Sequence, residues 1–293
     1  MKREGAFCAA AGLALAAACC AAVPASAAVS SGAGNAAPAG GAYVALGDSY
    51  TSGPVMQPSS PTASPLCDQS AVNYPHLTAR ALGLALTDVS CGGATVSDMT
   101  QSQYPGVAPQ FGALSVRDKV VTLGIGGNDD NTFITAVAGC GALGASDPEN
   151  RGAPCEKAFG DRFADNIASD GPNIGAALRR IHALAPHARV FVAGYPDILP
   201  QHGNCWPQMP MSTGDVAYLN GVERDLNGML EREAGANGAT FVDTYGPSIG
   251  HDACQPESVR WVEPAVPSSP AAFVHPNAAG EAAMASMVEE AIR

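Results

Sequence analysis

Five short apolar runs, separated by segments with helical spacing, constrain the fold of this 293-residue chain more than any other feature. The runs show no polar alternation, which indicates strands that are buried on both faces of a sheet. Because such strands alternate with helices, the pattern predicts a parallel sheet covered by helices on each side. The predicted strands are 42–46, 84–89, 119–125, 189–193 and 240–242.

Four helical patterns lie between and after these strands. They cover about 73–82, 158–185, 214–234 and 277–292, and the second is expected to be interrupted near Gly171-Pro172. In open parallel sheets, ligands bind outside the carboxyl ends of the strands. The residues that follow each strand are therefore the place to look for chemistry.

The N-terminal residues have the layout of a signal peptide. Lys2 and Arg3 precede an apolar, alanine-rich run over 6–22, and small residues at 25–27 form a candidate cleavage site. This order of basic, apolar and small residues is typical of secretory signals. We therefore expect residues 1–27 to be a signal peptide and the protein to be secreted to the extracellular space.

Residues 28–40 are rich in alanine, glycine, serine and proline, which predicts a flexible linker before one domain over 41–293. A membrane anchor is the alternative reading of the N-terminus, but the apolar run is short and Pro24 follows it. Lipid attachment at Cys19 or Cys20 is a second alternative. We expect no stable membrane anchor.

Cysteine spacing predicts disulfides rather than a metal site. Six cysteines follow the expected signal peptide: Cys67, Cys91, Cys140, Cys155, Cys205 and Cys254. An even number in an exported chain suggests three bridges, for which fifteen pairings exist. We favour nearest-neighbour pairing, because each bridge then closes loops around one region. No Cys-x-x-Cys spacing supports metal ligation.

The formal net charge of −12 argues against nucleic acid and against an anionic membrane surface as electrostatic partners. No metal or organic cofactor is expected. A monomer is the default expectation for the oligomeric state.

Residues with the chemistry of acyl transfer follow the predicted strands. That reaction needs a nucleophilic hydroxyl, a base and donors for the developing oxyanion. Ser49 follows the first strand and can supply the hydroxyl, and His275 near the C-terminus can be the base. The backbone N–H groups of Ser49 and Gly93, with the side-chain amide of Asn128, can form the oxyanion hole. Gly92 is an alternative to Gly93.

Four sequence blocks together resemble the SGNH (GDSL-type) hydrolases, in the branch of secreted bacterial lipases and esterases. The blocks are 43–53, 91–95, 126–129 and 275–280, and they occur in the family's order. The resemblance implies that Ser49, Gly93, Asn128 and His275 carry the four signature roles. It also implies a three-layer α/β/α sandwich of flavodoxin-like type, a five-stranded parallel sheet and three disulfides.

One family position departs from the pattern. The family's last block usually has Asp three residues before the His, and Ala272 stands there. We favour a Ser–His dyad in which the carbonyl of Ala272, or of a close neighbour, accepts the Nδ1–H of His275. A displaced acid, Asp252 or Glu263, is the alternative.

These observations predict a secreted carboxylic-ester hydrolase that works through an acyl-Ser49 intermediate on a small-molecule or lipid ester. A carbohydrate acetylesterase or a phospholipase on the same fold is the alternative within the enzyme class. A catalytically silent binding protein is the alternative outside it. Acyl-chain length and alcohol preference cannot be read from the sequence, because fold and catalytic residues do not choose them.

Overall fold

A five-stranded, fully parallel sheet forms the centre of the protein. The computed structural model describes residues 41–147 and 149–293. The strands are β1 (Ala42–Gly47), β2 (Ala85–Asp88), β3 (Asp118–Gly124), β4 (Arg189–Ala193) and β5 (Thr240–Val242), and their order across the sheet is β2-β1-β3-β4-β5. All five predicted strands are confirmed, and no strand end is shifted by more than one residue.

Helices of very different lengths connect the strands. The α-helices are α1 (Ser49–Ser52), α2 (Tyr74–Leu82), α3 (Thr132–Ile134), α4 (Cys140–Ala145), α5 (Pro154–Phe159), α6 (Arg162–Leu184), α7 (Thr213–Ala236), α8 (Tyr245–Ser248) and α9 (Ala278–Ile292). A π-helical turn over Thr135–Gly139 joins α3 to α4. Short 3₁₀ turns occur in the loops between the longer elements.

The two faces of the sheet carry separate apolar layers. Along β1, Val44 and Leu46 face a layer that includes Ile174 of α6 and Leu230 of α7. Residues of opposite parity on the strands pack with α2 and α9, as Tyr43 does. Burial on both faces explains why the strand sequences lack polar alternation. The result is the expected three-layer α/β/α sandwich.

Helix α6 is continuous, so the expected interruption near Gly171-Pro172 is wrong. Proline inside a helix costs about 3 kcal/mol relative to alanine. The apolar side of α6 remains buried on both sides of this point, through Ile167 and Ile174. Packing against the sheet and α7 therefore outweighs the local preference of Pro172.

The three expected disulfides are confirmed: Cys67–Cys91, Cys140–Cys155 and Cys205–Cys254. The second and third belong to a smaller apolar cluster built around Phe163, Met209 and Val274. This cluster supports the loops that lead towards the C-terminal His block.

The expected signal peptide (1–27) and linker (28–40) lie outside the described residues, and the domain boundary at 41 stays a prediction. Over residues 41–147 and 149–293, no helix has both the length and the apolar character required to cross a bilayer. The same ranges contain no group of three or more His, Cys, Asp or Glu side chains arranged to hold a metal ion.

Gly280 allows α9 to begin close to a neighbouring loop. A Cβ atom at this position would overlap the Trp261 carbonyl oxygen. We expect G280A to lower the free energy of unfolding by about 1–3 kcal/mol, because the backbone must move to admit the methyl group. Urea unfolding of the purified variant measures this change.

Gly221, in the interior of α7, is the matched control because a Cβ atom there would meet nothing within 4 Å. We expect G221A to stabilise the protein by about 0.4–1 kcal/mol through the lower entropy of its unfolded chain. Equal stability of the two variants would contradict the close approach at Gly280.

Candidate active site

Ser49 lies at the carboxyl end of β1, on the first residue of α1. The preceding Asp48 caps this helix, because its side chain accepts a hydrogen bond from the Tyr50 N–H at 2.9 Å. Ser49 is only 8% exposed. The turn is tight at Gly47, where a Cβ atom would overlap Thr51 and lie 2.6 Å from the Gly124 carbonyl oxygen. These contacts explain the glycine and the aspartate before Ser49.

His275 meets Ser49 although 226 positions separate them. Its Nε2 lies 2.7 Å from the Ser49 Oγ, and its Nδ1 lies 2.7 Å from the Phe273 carbonyl oxygen. A carbonyl can only accept, so Nδ1 carries the proton and Nε2 accepts from the serine hydroxyl. The pair therefore has the tautomer that general-base chemistry requires.

The carbonyl that faces His275 belongs to Phe273. The choice of Ala272 is therefore wrong, and the acceptor is its chain neighbour, as the alternative allowed. Val274 has a φ of 56°, a left-handed conformation that is unusual for a β-branched residue. The Val274 N–H donates to the Glu263 carbonyl at 3.0 Å, and its own carbonyl accepts from the Tyr50 hydroxyl at 2.7 Å. This kink turns the Phe273 carbonyl towards the imidazole.

Neither candidate acid is a partner of the imidazole. Asp252 accepts hydrogen bonds from the Cys254 N–H and from Gln255. The Glu263 carboxylate binds Arg260 at 2.8 and 3.0 Å and accepts from Asn277 at 2.9 Å. Among the described residues, no carboxylate hydrogen-bonds to a ring nitrogen of His275.

Glu263 anchors the loop that carries His275. Burial alone would raise the pKa of Glu263, but hydrogen bonds from Arg260, Asn277 and Ser269, and from the Ser268 N–H, outweigh it and lower the pKa to about 2. The side chain is fully buried, so this charge is retained only because several donors surround it.

Burial also controls the protonation of His275. Desolvation lowers the pKa of His275 to about 4, and the hydrogen bond to the Phe273 carbonyl only partly opposes this shift. The ring lies among aromatic neighbours, with centroids 4.8 Å from Tyr50 and 5.4 Å from Phe133. The imidazole is therefore neutral at pH 7 and able to accept a proton.

The candidate oxyanion donors lie around the same cleft. Gly93 has a φ of 77°, which favours glycine, and within the described chain neither its N–H nor that of Ser49 donates to a protein acceptor. The Gly92 N–H is already bound to the Cys67 carbonyl at 2.9 Å, so Gly93 is the better donor. Asn128 Nδ2 is held by the Ala94 carbonyl at 3.1 Å.

The cleft has a volume of about 390 Å³. Its lining residues are Ser49, Pro54, Gly93, Thr95, Asn128, Asn131, Phe133, Ile134, Phe273 and His275. The side chains of Ile134 and Phe273 are nearly half exposed. The structure therefore brings Ser49, Gly93, Asn128 and His275 to one site with partly apolar walls.

Tyr195 is a site residue that the sequence analysis missed. Its hydroxyl donates to the Asp48 carboxyl and accepts from the Gly127 N–H at 2.9 Å, which joins the nucleophile turn to the loop before Asn128. Asn227 holds the Tyr195 backbone through both its N–H and its carbonyl. The only available signal was the position of Tyr195 two residues after β4.

Asp48, the chain neighbour of Ser49, is buried. Burial raises its pKa to about 7, although hydrogen bonds from Tyr195 and from the Tyr50 N–H act to lower it. Its observed contacts orient the turn that carries Ser49, and its carboxyl makes no hydrogen bond to His275.

Comparisons with known proteins agree with this fold. The GDSL-like Lipase/Acylhydrolase family matches residues 45–283. Lipase 2 of Streptomyces coelicolor is 46% identical over 246 residues, which are 83% of this chain and 83% of that protein. Phospholipase A1 from Streptomyces albidoflavus NA297 has a TM-score of 0.72 at 28% identity, over 86% of this chain and 99% of its own.

An extracellular lipase from Streptomyces rimosus has the same fold, with a TM-score of 0.66 at 24% identity over 86% of this chain and 99% of its own. The site and the matches define a serine hydrolase of SGNH type. The chain belongs to the GDSL-like lipase/acylhydrolase family.

The surroundings of Glu263 predict a structural role for its charge. We expect E263Q to lower the free energy of unfolding by about 3–5 kcal/mol at pH 7, because buried Arg260 loses its counter-charge. The folded-state pKa of Glu263 is about 2, below its ordinary value, so its stabilisation is present above about pH 4.5 and is lost as pH falls through 2. In urea unfolding measured from pH 7 down to pH 2, the difference in the free energy of unfolding between E263Q and the wild-type protein should become smaller.

Measuring kcat of the folded variants shows whether Asp252 or Glu263 assists His275 in catalysis or only holds the structure. We expect D252N and folded E263Q to keep kcat within about tenfold of wild type, whereas H275A loses about 10⁴ or more. A loss in either carboxyl variant as large as that of H275A would mean that a displaced acid assists the histidine.

Proposed function

We propose that this protein is a secreted carboxylic-ester hydrolase that forms an acyl-Ser49 intermediate. The observation that carries the proposal is the 2.7 Å contact between the Ser49 Oγ and the His275 Nε2 in a cleft that also contains two uncommitted backbone N–H groups. A nucleophile within hydrogen-bond reach of an oriented base is the diagnostic arrangement for covalent catalysis. This contact also argues against a catalytically silent binding protein.

In the proposed acylation step, the Ser49 oxygen attacks the ester carbonyl while His275 Nε2 takes the hydroxyl proton. The carbonyl oxygen becomes an oxyanion that accepts hydrogen bonds from the N–H groups of Ser49 and Gly93 and from Asn128 Nδ2. Losing one such donor costs about 10²–10³ in rate in a serine hydrolase. The protonated His275 then gives its proton to the leaving alcohol.

Deacylation repeats these roles with water. His275 takes a proton from the water, whose oxygen attacks the acyl carbonyl, and then returns the proton to the Ser49 oxygen as the acid leaves. Phe273 replaces the usual triad acid in one respect, because its carbonyl orients the imidazole through Nδ1 at 2.7 Å. A neutral carbonyl stabilises the imidazolium less than a carboxylate does.

A lipid ester is the substrate class that the relatives and the cleft support best. Lipase 2 of Streptomyces coelicolor and phospholipase A1 of Streptomyces albidoflavus are the similar proteins that carry this inference. The exposed side chains of Ile134 and Phe273 at the cleft favour an apolar substrate over an acetylated sugar. Phospholipid hydrolysis is the second candidate, favoured by the similarity to phospholipase A1.

Secretion is part of the proposal. Three disulfides are typical of proteins that fold in an oxidising compartment, and the N-terminal sequence has the order of residues found in secretory signals.

A labelling and substrate experiment tests the function. We expect a fluorophosphonate probe to label Ser49 in the wild-type protein and to leave S49A unlabelled. A panel of p-nitrophenyl esters from acetate to palmitate, with phosphatidylcholine and an acetylated sugar, measures specificity. Hydrolysis restricted to the acetyl esters would contradict the lipid-ester assignment, and absence of both labelling and turnover would contradict the enzyme assignment.

The lowered pKa of His275 predicts an unusual pH profile. His275 must be neutral to act as base, so kcat/KM should fall as pH drops through about 4, the pKa of the free enzyme. Hydrolysis of a p-nitrophenyl ester in a stopped assay from pH 3 to 9, with folding monitored by tryptophan fluorescence, measures this limb.

D48N is the control, because the pKa of Asp48 is about 7 and Asp48 adjoins Ser49. A limb near pH 7 that disappears in D48N would belong to Asp48. A limb near pH 6.5 in both proteins would mean that the imidazole is not desolvated.

A further inference from the structure

An apolar cavity of about 80 Å³ lies directly behind the catalytic cleft. Gly127 and Val274 line it, and these residues are the chain neighbours of Asn128 and His275. Phe133 lines both the cavity and the cleft, so the two spaces are adjacent at this residue. A ligand held at Ser49 could therefore extend past Phe133 into this cavity.

The walls of the cavity are almost entirely hydrocarbon. Its apolar lining includes Ile167, Leu199, Met209, Met211, Leu219 and Leu226. The hydroxyl of Tyr195 is already bound to Asp48 and Gly127. The Thr132 hydroxyl accepts a hydrogen bond from Asn166 at 3.1 Å.

Glu223 of α7 is the exception among the lining side chains. It is 9% exposed, its Oε2 accepts a hydrogen bond from the Ile198 N–H at 3.3 Å, and its Oε1 has no partner within the described residues. Buried polar atoms are nearly always paired. An unpaired carboxyl oxygen on a residue that lines a cavity is therefore a candidate partner for a hydrogen-bonding group held there.

The chemistry of Glu223 suits a neutral ligand group. Burial raises the pKa of Glu223 well above its ordinary value, and the nearby Asp197 adds to this shift. A protonated carboxyl both donates and accepts, as an alcohol does. A hydroxyl can therefore pair with Oε1 without bringing a charge into the apolar cavity.

We propose that this cavity receives the far end of the substrate's acyl chain and that Glu223 selects chains that carry a hydroxyl group there. This inference rests on the proposed ester hydrolysis at Ser49 and adds the substrate class. A volume of about 80 Å³ admits only a short segment, because a water molecule already occupies about 30 Å³ in the liquid. The rest of the chain lies in the cleft.

The preference between plain and hydroxylated acyl chains depends on whether the Glu223 Oε1 finds a hydrogen-bonding partner. A plain alkyl chain fills the apolar walls but leaves Oε1 unpaired, whereas a hydroxylated chain satisfies it. Sites built to bind a hydroxyl reject analogues that lack it much more strongly than apolar pockets reject an added hydroxyl. Glu223 is thus a specificity residue and takes no part in the proton transfers at Ser49.

The test compares p-nitrophenyl hexanoate, octanoate and decanoate with their terminal-hydroxy analogues, and includes p-nitrophenyl acetate. In the wild-type protein, we expect at least one hydroxylated ester to have a kcat/KM above that of its plain counterpart. E223L should lower the hydroxy-to-plain ratio by about tenfold, because one hydrogen bond is lost. E223Q, whose amide also donates and accepts, should keep the ratio near that of wild type.

Glu281 provides the matched control. It is also a fully buried carboxyl with an unpaired Oε1, and its Oε2 accepts from the Tyr74 N–H, but it does not line this cavity. E281L should leave the hydroxy-to-plain ratio unchanged. If E223L does not fold, the wild-type preference and the E223Q ratio still decide the question.

Three results would overturn the inference: no hydroxyl preference at any chain length in the wild type, an equal change in E223L for plain and hydroxylated esters, or the same ratio change in E281L. Hydrolysis of p-nitrophenyl acetate tests the proposed function independently of the role of Glu223, because an acetyl group does not extend far beyond the reacting carbon. Normal acetate hydrolysis without a hydroxyl preference contradicts only the role of Glu223. Absence of acetate hydrolysis contradicts the proposed function itself.

Discussion

The Glu263 carboxylate accepts hydrogen bonds from Arg260, Asn277 and the Ser269 hydroxyl, and the Glu263 backbone pairs with Val274 and His275. The Glu263 N–H donates to the His275 carbonyl, and the Glu263 carbonyl accepts from the Val274 N–H. These two bonds hold the N–H of Val274 and the carbonyl of His275, and they support the left-handed conformation of Val274. The contact between His275 and Ser49 therefore depends on a buried carboxylate that never touches the imidazole.

In the proposed reaction, this arrangement changes how Ser49 is activated. A triad acid orients the histidine and also stabilises the imidazolium, whereas the Phe273 carbonyl does mainly the first. Desolvation lowers the pKa of His275 to about 4, so the ring is ready to accept a proton but holds it weakly. A weakly held proton is given readily to the leaving alcohol. The Tyr195 hydroxyl, bound to Asp48 and Gly127, supports the geometry on the opposite side of the site.

Several features of the fold and site could be predicted because they depend on local pattern. The strands follow from apolar runs, and Ser49 and His275 stand in blocks that occur in a fixed order. Other features could not be predicted, because they depend on atoms that are distant in sequence. Pro172 continues α6 because the helix packs on both sides of it, and Phe273 rather than Ala272 faces His275 because Val274 is kinked. Glu223 gave no signal within the polar pattern of α7.

The sequence by itself predicted the layer order, the cysteine pairing and the proposed nucleophile and base, because these predictions depend on periodicity, spacing and residue type. The tertiary structure alone decided which carbonyl faces His275, which backbone N–H groups at the cleft have no acceptor among the described residues, and which buried carboxyls have one unpaired oxygen. These properties depend on distances of a few ångströms between segments such as Glu263 and His275, or Tyr195 and Asp48. Such distances are set by the packing of the whole domain, because the segments concerned are far apart in sequence.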